Sequence, residues 1–340
     1  MRSRIHAVVL AASLSLVLLG SPVGLPRPAE AREKVLVAKR GPAEDAPATQ
    51  PTTQPATQPA TQPATQPATK PATKPAATQP TTSPAAAKVK TLADARALHM
   101  KGDYAAAAGG YEKLVAQKSI QVAAAVGLAD ALAMQGKYDK ATDALNSVAE
   151  AGKDRAEWHV ATAEMLAVVG QYDKALAHAV EAHTLRPTWA RAILLRGQLL
   201  EVLGRKTDAI AVYASMAKVV ESDDYLSDAE QLVALGKIMD RHSVLTGKKA
   251  SQQADNISNN YLRKAYLDVD EKYWPAYVAA GDFALAKHRP KTAAHEYGLA
   301  HKINQRIPAA HVGLGVVQLA SRRFEQCMKQ ADEALKVNPH

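Results

Sequence analysis

An all-α fold is predicted for residues 88–340, a solenoid of antiparallel helix pairs, and three observations predict it. The chain repeats with a period of 34: Gly102-Asp103-Tyr104, Gly136-Lys137-Tyr138 and Gly170-Gln171-Tyr172 share that interval, and Gly204 keeps the phase with Lys206 in place of tyrosine. An alanine follows each tyrosine position by three residues, at Ala107, Ala141, Ala175 and Ala209. Ahead of each turn stand Leu98, Leu132, Leu166 and Leu200, preceded three residues earlier by Ala95, Ala129, Ala163 and Gly197. Spacings of three and four are helical, and no strand-like alternation interrupts them.

Each element answers a packing requirement. Two antiparallel helices that cross closely need a small residue at the crossing, and the glycine between them permits a tight turn. Tyr111 and Tyr213, four residues after an alanine, share its helical face and fill the space toward the neighbouring helices. The phase is lost after Val220 and returns at Trp274: Gly281 and Gly315 are again 34 apart, and Ala293, Tyr297 and Ala300 suit a second helix. The intervening segment, 224–273, is 16 residues longer than one unit. It reads as a degenerate repeat with a first helix through about His242, a polar loop from Thr246 to Asn260, and a second helix carrying Leu262, Ala265 and Tyr266. Such an enlarged loop is either a tolerated insertion or a place for a specific contact. The last repeat has Arg322 at the turn, Phe324 for the tyrosine and Cys327 for the alanine, with no polar capping helix after it. Either a partner or a second copy is expected to cover that face, or the chain is the front part of a longer ancestral design.

These in-phase copies resemble the tetratricopeptide-repeat family, whose unit has small residues at its eighth and twentieth positions and often proline at its thirty-second, matched here by Pro187 and Pro339. The resemblance covers residues 88–340. It implies a right-handed superhelical solenoid of about seven helix pairs, with a groove lined chiefly by the second, fifth, ninth, twelfth and thirteenth positions of each first helix. Carried onto this chain, the fifth position reads Leu92, Val126, Val160, Leu194, Val278 and Val312, an apolar stripe. The ninth reads Arg96, Asp130, Glu164, Gln198, Asp282 and Val316, with Glu157 and Glu201 nearby, which makes the groove mildly acidic. The aliphatics either pack adjacent first helices or anchor an extended or helical peptide that also carries basic residues. The subfamily that grips a terminal carboxylate uses lysines and asparagines at the fifth and ninth positions; here those positions are aliphatic and acidic, so that role is disfavoured.

The first quarter of the chain has no Trp, Tyr or Phe and cannot build a packed core. Residues 1–31 have the parts of a secretory signal: Arg2 and Arg4, an apolar run from Ala7 to Gly20, and Ala29 and Ala31 around Glu30. The run is shorter than the roughly 20 residues that cross a bilayer, so cleavage after Ala31 and no membrane span in the mature chain are expected. Residues 32–87 form a tether, with prolines every fourth residue from Pro51 to Pro75, expected to be disordered with polyproline II character and to reach on the order of 100 Å.

Of the formal charge of +9, residues 1–90 hold 11 Lys/Arg and 4 Asp/Glu, which leaves 31 against 29 beyond. The folded part is nearly balanced, and a nucleic-acid partner is not expected. The lone Cys327 excludes an internal disulfide, and it falls where the repeat wants a small buried residue. His295-Glu296 with His301, and His178 with Glu181 and His183, lack the four-residue histidine spacing of a helical metal site. Gly313-Leu314-Gly315 follows no strand and is read as helix packing. No catalytic residue, metal or cofactor is expected. The expectation is a non-catalytic scaffold of the bacterial envelope, periplasmic or secreted, binding a protein or peptide in its groove. The alternatives are the targeting half of an exported hydrolase system and a homo-oligomeric structural protein that self-associates through its last repeat.

Overall fold

A computed structural model describes residues 88–248 and 250–340; the expected signal, 1–31, and tether, 32–87, lie outside the described residues. Among the described residues there is no strand. The helices fall into seven consecutive antiparallel hairpins: α1 (Leu92–Met100) with α2 (Tyr104–Val115), α3 (Gln121–Ala133) with α4 (Tyr138–Asn146), α5 (Ala156–Val168) with α6 (Tyr172–Leu185), and α7 (Ala190–Val202) with α8 (Lys206–Ala214). There follow α9 (Ala229–Leu245) with α10 (Ala250–Ile257, extended by further helix to Val269), α11 (Trp274–Ala286) with α12 (Pro290–Ile303), and α13 (Pro308–Ala320) with α14 (Phe324–Val337). No helix among the described residues is long and apolar enough to cross a membrane.

The helix ends have local causes. Thr91 and Asp94 close a capping box at the start of α1, and the Asp228 carboxylate accepts from the Glu230 and Gln231 amides at the start of α9. Helices α11, α12 and α13 carry proline in their first turn, where its missing N–H costs nothing. Each first helix stops the same way: a residue with positive φ follows it, and the next amide donates to the carbonyl five residues back. The bonds run from Asp103 to Leu98, Lys137 to Leu132, Gln171 to Leu166 and Arg205 to Leu200, all within 3.0 Å. This motif satisfies carbonyls that the helix leaves open. The turn residue is Gly102, Gly136, Gly170, Gly204 and Gly247 in five hairpins, and His288 and Arg322, both at φ 57°, in the last two.

Glycines face large side chains within and between several hairpins. A Cβ on Gly197 would lie 2.1 Å from the Tyr213 ring, and one on Gly281 or Gly313 would strike the Tyr297 ring from either side. Tyr104, Tyr213 and Tyr297 are fully buried, and the core is a succession of apolar clusters along the array. Cys327 is a buried free thiol, raised above its usual pKa by burial.

The degenerate repeat differs from the expectation in one respect: residues 250–260 of the expected polar loop are helix. Gly236, where an added Cβ would lie 2.7 Å from Leu262, takes the small-residue position of this hairpin. Gly247 at φ 69° is its turn, with the Lys248 amide bonded to the Ser243 carbonyl as in the other hairpins. The extra residues are thus distributed among 3-10 turns between Ser215 and Ser227, a longer α9, and a longer second helix. That second helix buries Ala254, Ile257, Leu262, Ala265 and Tyr266. The five-residue step from Ile257 to Leu262 is taken up by π-helix at Ser258–Arg263 and again at Ala265–Val269, which keeps one face inward.

Contacts also join the two ends of this array. Met100 and Met134, from the first two hairpins, pack against a cluster that includes Trp274, Tyr297 and Ile307. Asn304 bonds Tyr104 and Asn338 bonds Tyr138, each pair 200 residues apart.

Candidate functional site

With Gly236 in the small-residue position, Lys237 becomes the ninth residue of its repeat and Glu230 the second. The ninth-position ladder along successive first helices therefore reads Arg96, Asp130, Glu164, Gln198, Lys237 and Asp282, and Arg191 and Glu230 stand at second positions beside it. Electrostatic coupling ties these groups together across hairpins that are far apart in sequence. Asp130 is influenced by Arg191 and Glu230, Lys237 by Asp282, Arg191 and Glu164, and Tyr273 by Glu230, Arg191 and Arg96. The first helices bring these side chains to a common interior.

At its centre Arg191 donates to both carboxylate oxygens of Glu164, at 2.8 and 2.9 Å, and to Glu230 at 3.4 Å. The planar guanidinium suits such a fork. These three side chains keep about a third of their surface, 32%, 29% and 36%. Burial pulls Arg191 down, but Glu164, Glu230 and Asp130 outweigh it and hold the guanidinium charged. Burial pushes both Asp130 and Glu164 above the usual carboxylate range, with Arg191 opposing. Burial likewise lowers the Lys237 ammonium, and Asp282 opposes that shift. Asp282 is itself raised to about 6 by burial, against the pull of Lys237. Its Oδ1 accepts from the Tyr297 hydroxyl at 2.7 Å, while its buried Oδ2 has no hydrogen-bond partner.

The expected groove residues divide into two groups. Val160 and Val278 are buried in the core, and Leu92, Val126 and Leu194 are half-buried and packed against it, so this aliphatic surface is spent largely on neighbouring helices. Gln198 is buried. Glu201 lies in an internal network, accepting from Arg241 and from the Tyr213 hydroxyl at 2.7 Å, and Glu157 pairs with Arg155 at the surface. Arg96 is exposed, and Asp130, Glu164 and Asp282 belong to the charged ladder. Sequence reasoning missed Arg191, Glu230 and Lys237. The second position of the unit pointed to Arg191, and Gly236 was the signal for the other two.

Of the four histidines singled out in the sequence, His178 and His301 each face another histidine, and His183 Nδ1 lies 3.1 Å from the Arg196 guanidinium. His178 faces His159 at 3.0 Å and His301 faces His311 at 3.3 Å, while Glu296 accepts from the Tyr266 hydroxyl at 3.0 Å. Among the described residues no three His, Cys, Asp or Glu side chains are grouped to hold a metal ion.

Hairpins packed one after another, with six of the seven first helices contributing to one ladder of polar and charged side chains, define an α-solenoid of the helix-hairpin repeat class. Residues 98–165 match the tetratricopeptide-repeat family model. No curated protein matches the sequence. Among solved structures it is similar to a tetratricopeptide repeat protein from Parabacteroides merdae ATCC 43184, at 16% identity over 72% of this chain and 91% of that one, with a TM-score of 0.43. It is also similar to YrrB, described as a TPR protein with an unusual peptide-binding site, at 17% identity over 58% and 94% of the two chains and a TM-score of 0.30. MamA from Desulfovibrio magneticus RS-1 is similar at 19% identity over 55% and 95%, with a TM-score of 0.29. At such scores these likenesses add nothing to the packing described above.

Proposed function

We propose that this protein is a non-catalytic protein–protein interaction scaffold that holds an extended segment of a partner against its charged interior. The observation that carries this reading is the ladder itself: Asp130, Glu164, Glu230 and Asp282 set against Arg191 and Lys237, all held at reduced exposure, with Arg96 exposed at one end. Arg191 is already engaged by Glu164 and Glu230, so the carboxylate of Asp130 is the natural receptor for a basic side chain of the partner. The partner is thus a segment with Lys or Arg, read by charge. The secretory pattern of residues 1–31 supports placing the scaffold outside the cytoplasm, in the bacterial envelope, with residues 32–87 giving it reach.

The test is fluorescence anisotropy of the full chain with a set of extended peptides differing only in Lys/Arg against Asp/Glu. Basic peptides should bind more tightly than acidic ones and weaken with salt, and Asp130→Asn should reduce their affinity by about tenfold. Charge-indifferent binding, or an unchanged affinity in the Asp130→Asn chain, would overturn the reading.

A further inference from the structure

Two polar contacts, related to each other by one 34-residue repeat, join the last two hairpins to the first two. The Asn304 side chain donates to the Tyr104 hydroxyl at 2.9 Å, and Asn338 donates to the Tyr138 hydroxyl at 2.9 Å. Each asparagine ends a second helix and folds into the same local turn. Its Oδ1 accepts from the amide two residues on, Arg306 at 2.8 Å and His340 at 3.1 Å. That bond settles which end of the amide faces outward, so Nδ2 is left to donate across the seam. Asp270 makes the same turn with the Lys272 amide at 2.9 Å, but a carboxylate has no such donor.

The glycines carry the second half of the argument. Gly102, Gly136, Gly170 and Gly204 share one backbone conformation, φ between 72° and 83°. A Cβ on Gly102 would lie 2.2 Å from Asn304 Oδ1, and one on Gly136 would lie 2.5 Å from Asn338 Oδ1. At Gly170 and Gly204 it would meet nothing within 4 Å. The first two turns are therefore approached closely by the end of the array and the next two are open. Tyr104 and Asn304 are almost fully buried, so the seam excludes water where it is tightest. The repeated displacement is what successive windings of a superhelix must show when one lies against the next.

We propose that the paired Asn–Tyr contacts are a latch that holds one winding against the next, and that the charged interior admits a partner segment when the latch releases. This rests on the reading of the interior as the binding surface, and its test needs no partner. In the full chain with Cys327→Ser, a probe thiol is placed inside by Glu230→Cys, and its reaction with iodoacetamide and with a bulky polyethylene-glycol maleimide is timed. The latch variant is Gly102→Ala with Gly136→Ala; the control is Gly170→Ala with Gly204→Ala, which carries the same backbone penalty without touching the seam. The bulky reagent should be slow on the parent and the control and about tenfold faster on the latch variant, with iodoacetamide little changed. Spin labels at Lys101→Cys and Lys302→Cys should move apart in the latch variant only. Should the glycine variants fail to fold, Tyr104→Phe with Tyr138→Phe removes both acceptors and should change the same rates in the same direction. A parent on which both reagents react equally fast, or a latch variant indistinguishable from its control, would overturn the proposal. A latch that opens in this assay while basic peptides still do not bind would overturn the reading of the interior and leave the latch standing.

Discussion

His288 and Arg322 show at the residue scale how a turn is paid for when glycine is missing. Both adopt φ 57° at the position that glycine fills in the first five hairpins. A side chain there crowds the following carbonyl, a cost of about 1 kcal/mol each. Both residues are exposed, so nothing offsets that cost. Arg322→Gly should therefore raise the stability of the chain by about 1 kcal/mol, read as a higher urea midpoint with an unchanged slope. The spacing in the sequence marked Arg322 as the turn because it stands where glycine recurs. That its backbone is left-handed follows from the Schellman bond between the Arg323 amide and the Gln318 carbonyl.

At the element scale, the long second helix of the fifth hairpin is the instructive case. Its polar composition between Thr246 and Asn260 suggested a loop; among its described side chains only Ala254 and Ile257 are buried. Two buried residues three apart are enough to hold a helix against α9 once Leu262, Ala265 and Tyr266 continue the same face. The five-residue step between Ile257 and Leu262 hides this from a search at 3.6 residues per turn, and the π-turns restore it. Leu262 is almost fully buried and fills the space left by Gly236. Leu262→Ala should cost about 3 kcal/mol by thermal or urea unfolding, as expected for a deleted core side chain with a residual cavity.

For the whole molecule, acid has two opposed effects. Burial lowers His301 to about 4, with His311 adding to the shift, and it lowers His99 to about 4, with Arg96 adding to it. The unfolded chain takes up those protons first, so this part of the stability is present above about pH 6.5 and is lost as pH falls toward about 4. Asp282, raised to about 6, runs the other way: its contribution is full below its ordinary value of 3.8 and is lost as pH rises through about 6. The parent profile between these limits is a partial cancellation, and single variants separate the terms. The stability of His301→Gln relative to the parent should rise as pH falls from 6.5 to about 4, and that of Asp282→Asn should rise as pH climbs from 3.8 to about 6. Urea titrations of the three chains across this range would show both slopes.

The sequence by itself determined the helix pairs of the regular repeats, their period, the turns at Gly102, Gly136, Gly170, Gly204 and Arg322, and four of the seven charged groups of the ladder, because each depends on residues within one unit of 34. Arg96, Asp130, Glu164 and Asp282 were legible as ninth positions for the same reason. Lys237 and Glu230 were not, since the extra residues around them broke the count that locates a position. Tertiary structure alone decided that five of the six aliphatic fifth positions, Leu92, Val126, Val160, Leu194 and Val278, pack into the core, and that Arg191 draws Glu164 and Glu230 onto one guanidinium. It alone brought Asn304 and Asn338 onto Tyr104 and Tyr138. A local repeat fixes the small rotation from one hairpin to the next. Whether the accumulated rotation brings residues 200 apart into contact depends on the sum of every step, including the longer helices of the fifth hairpin.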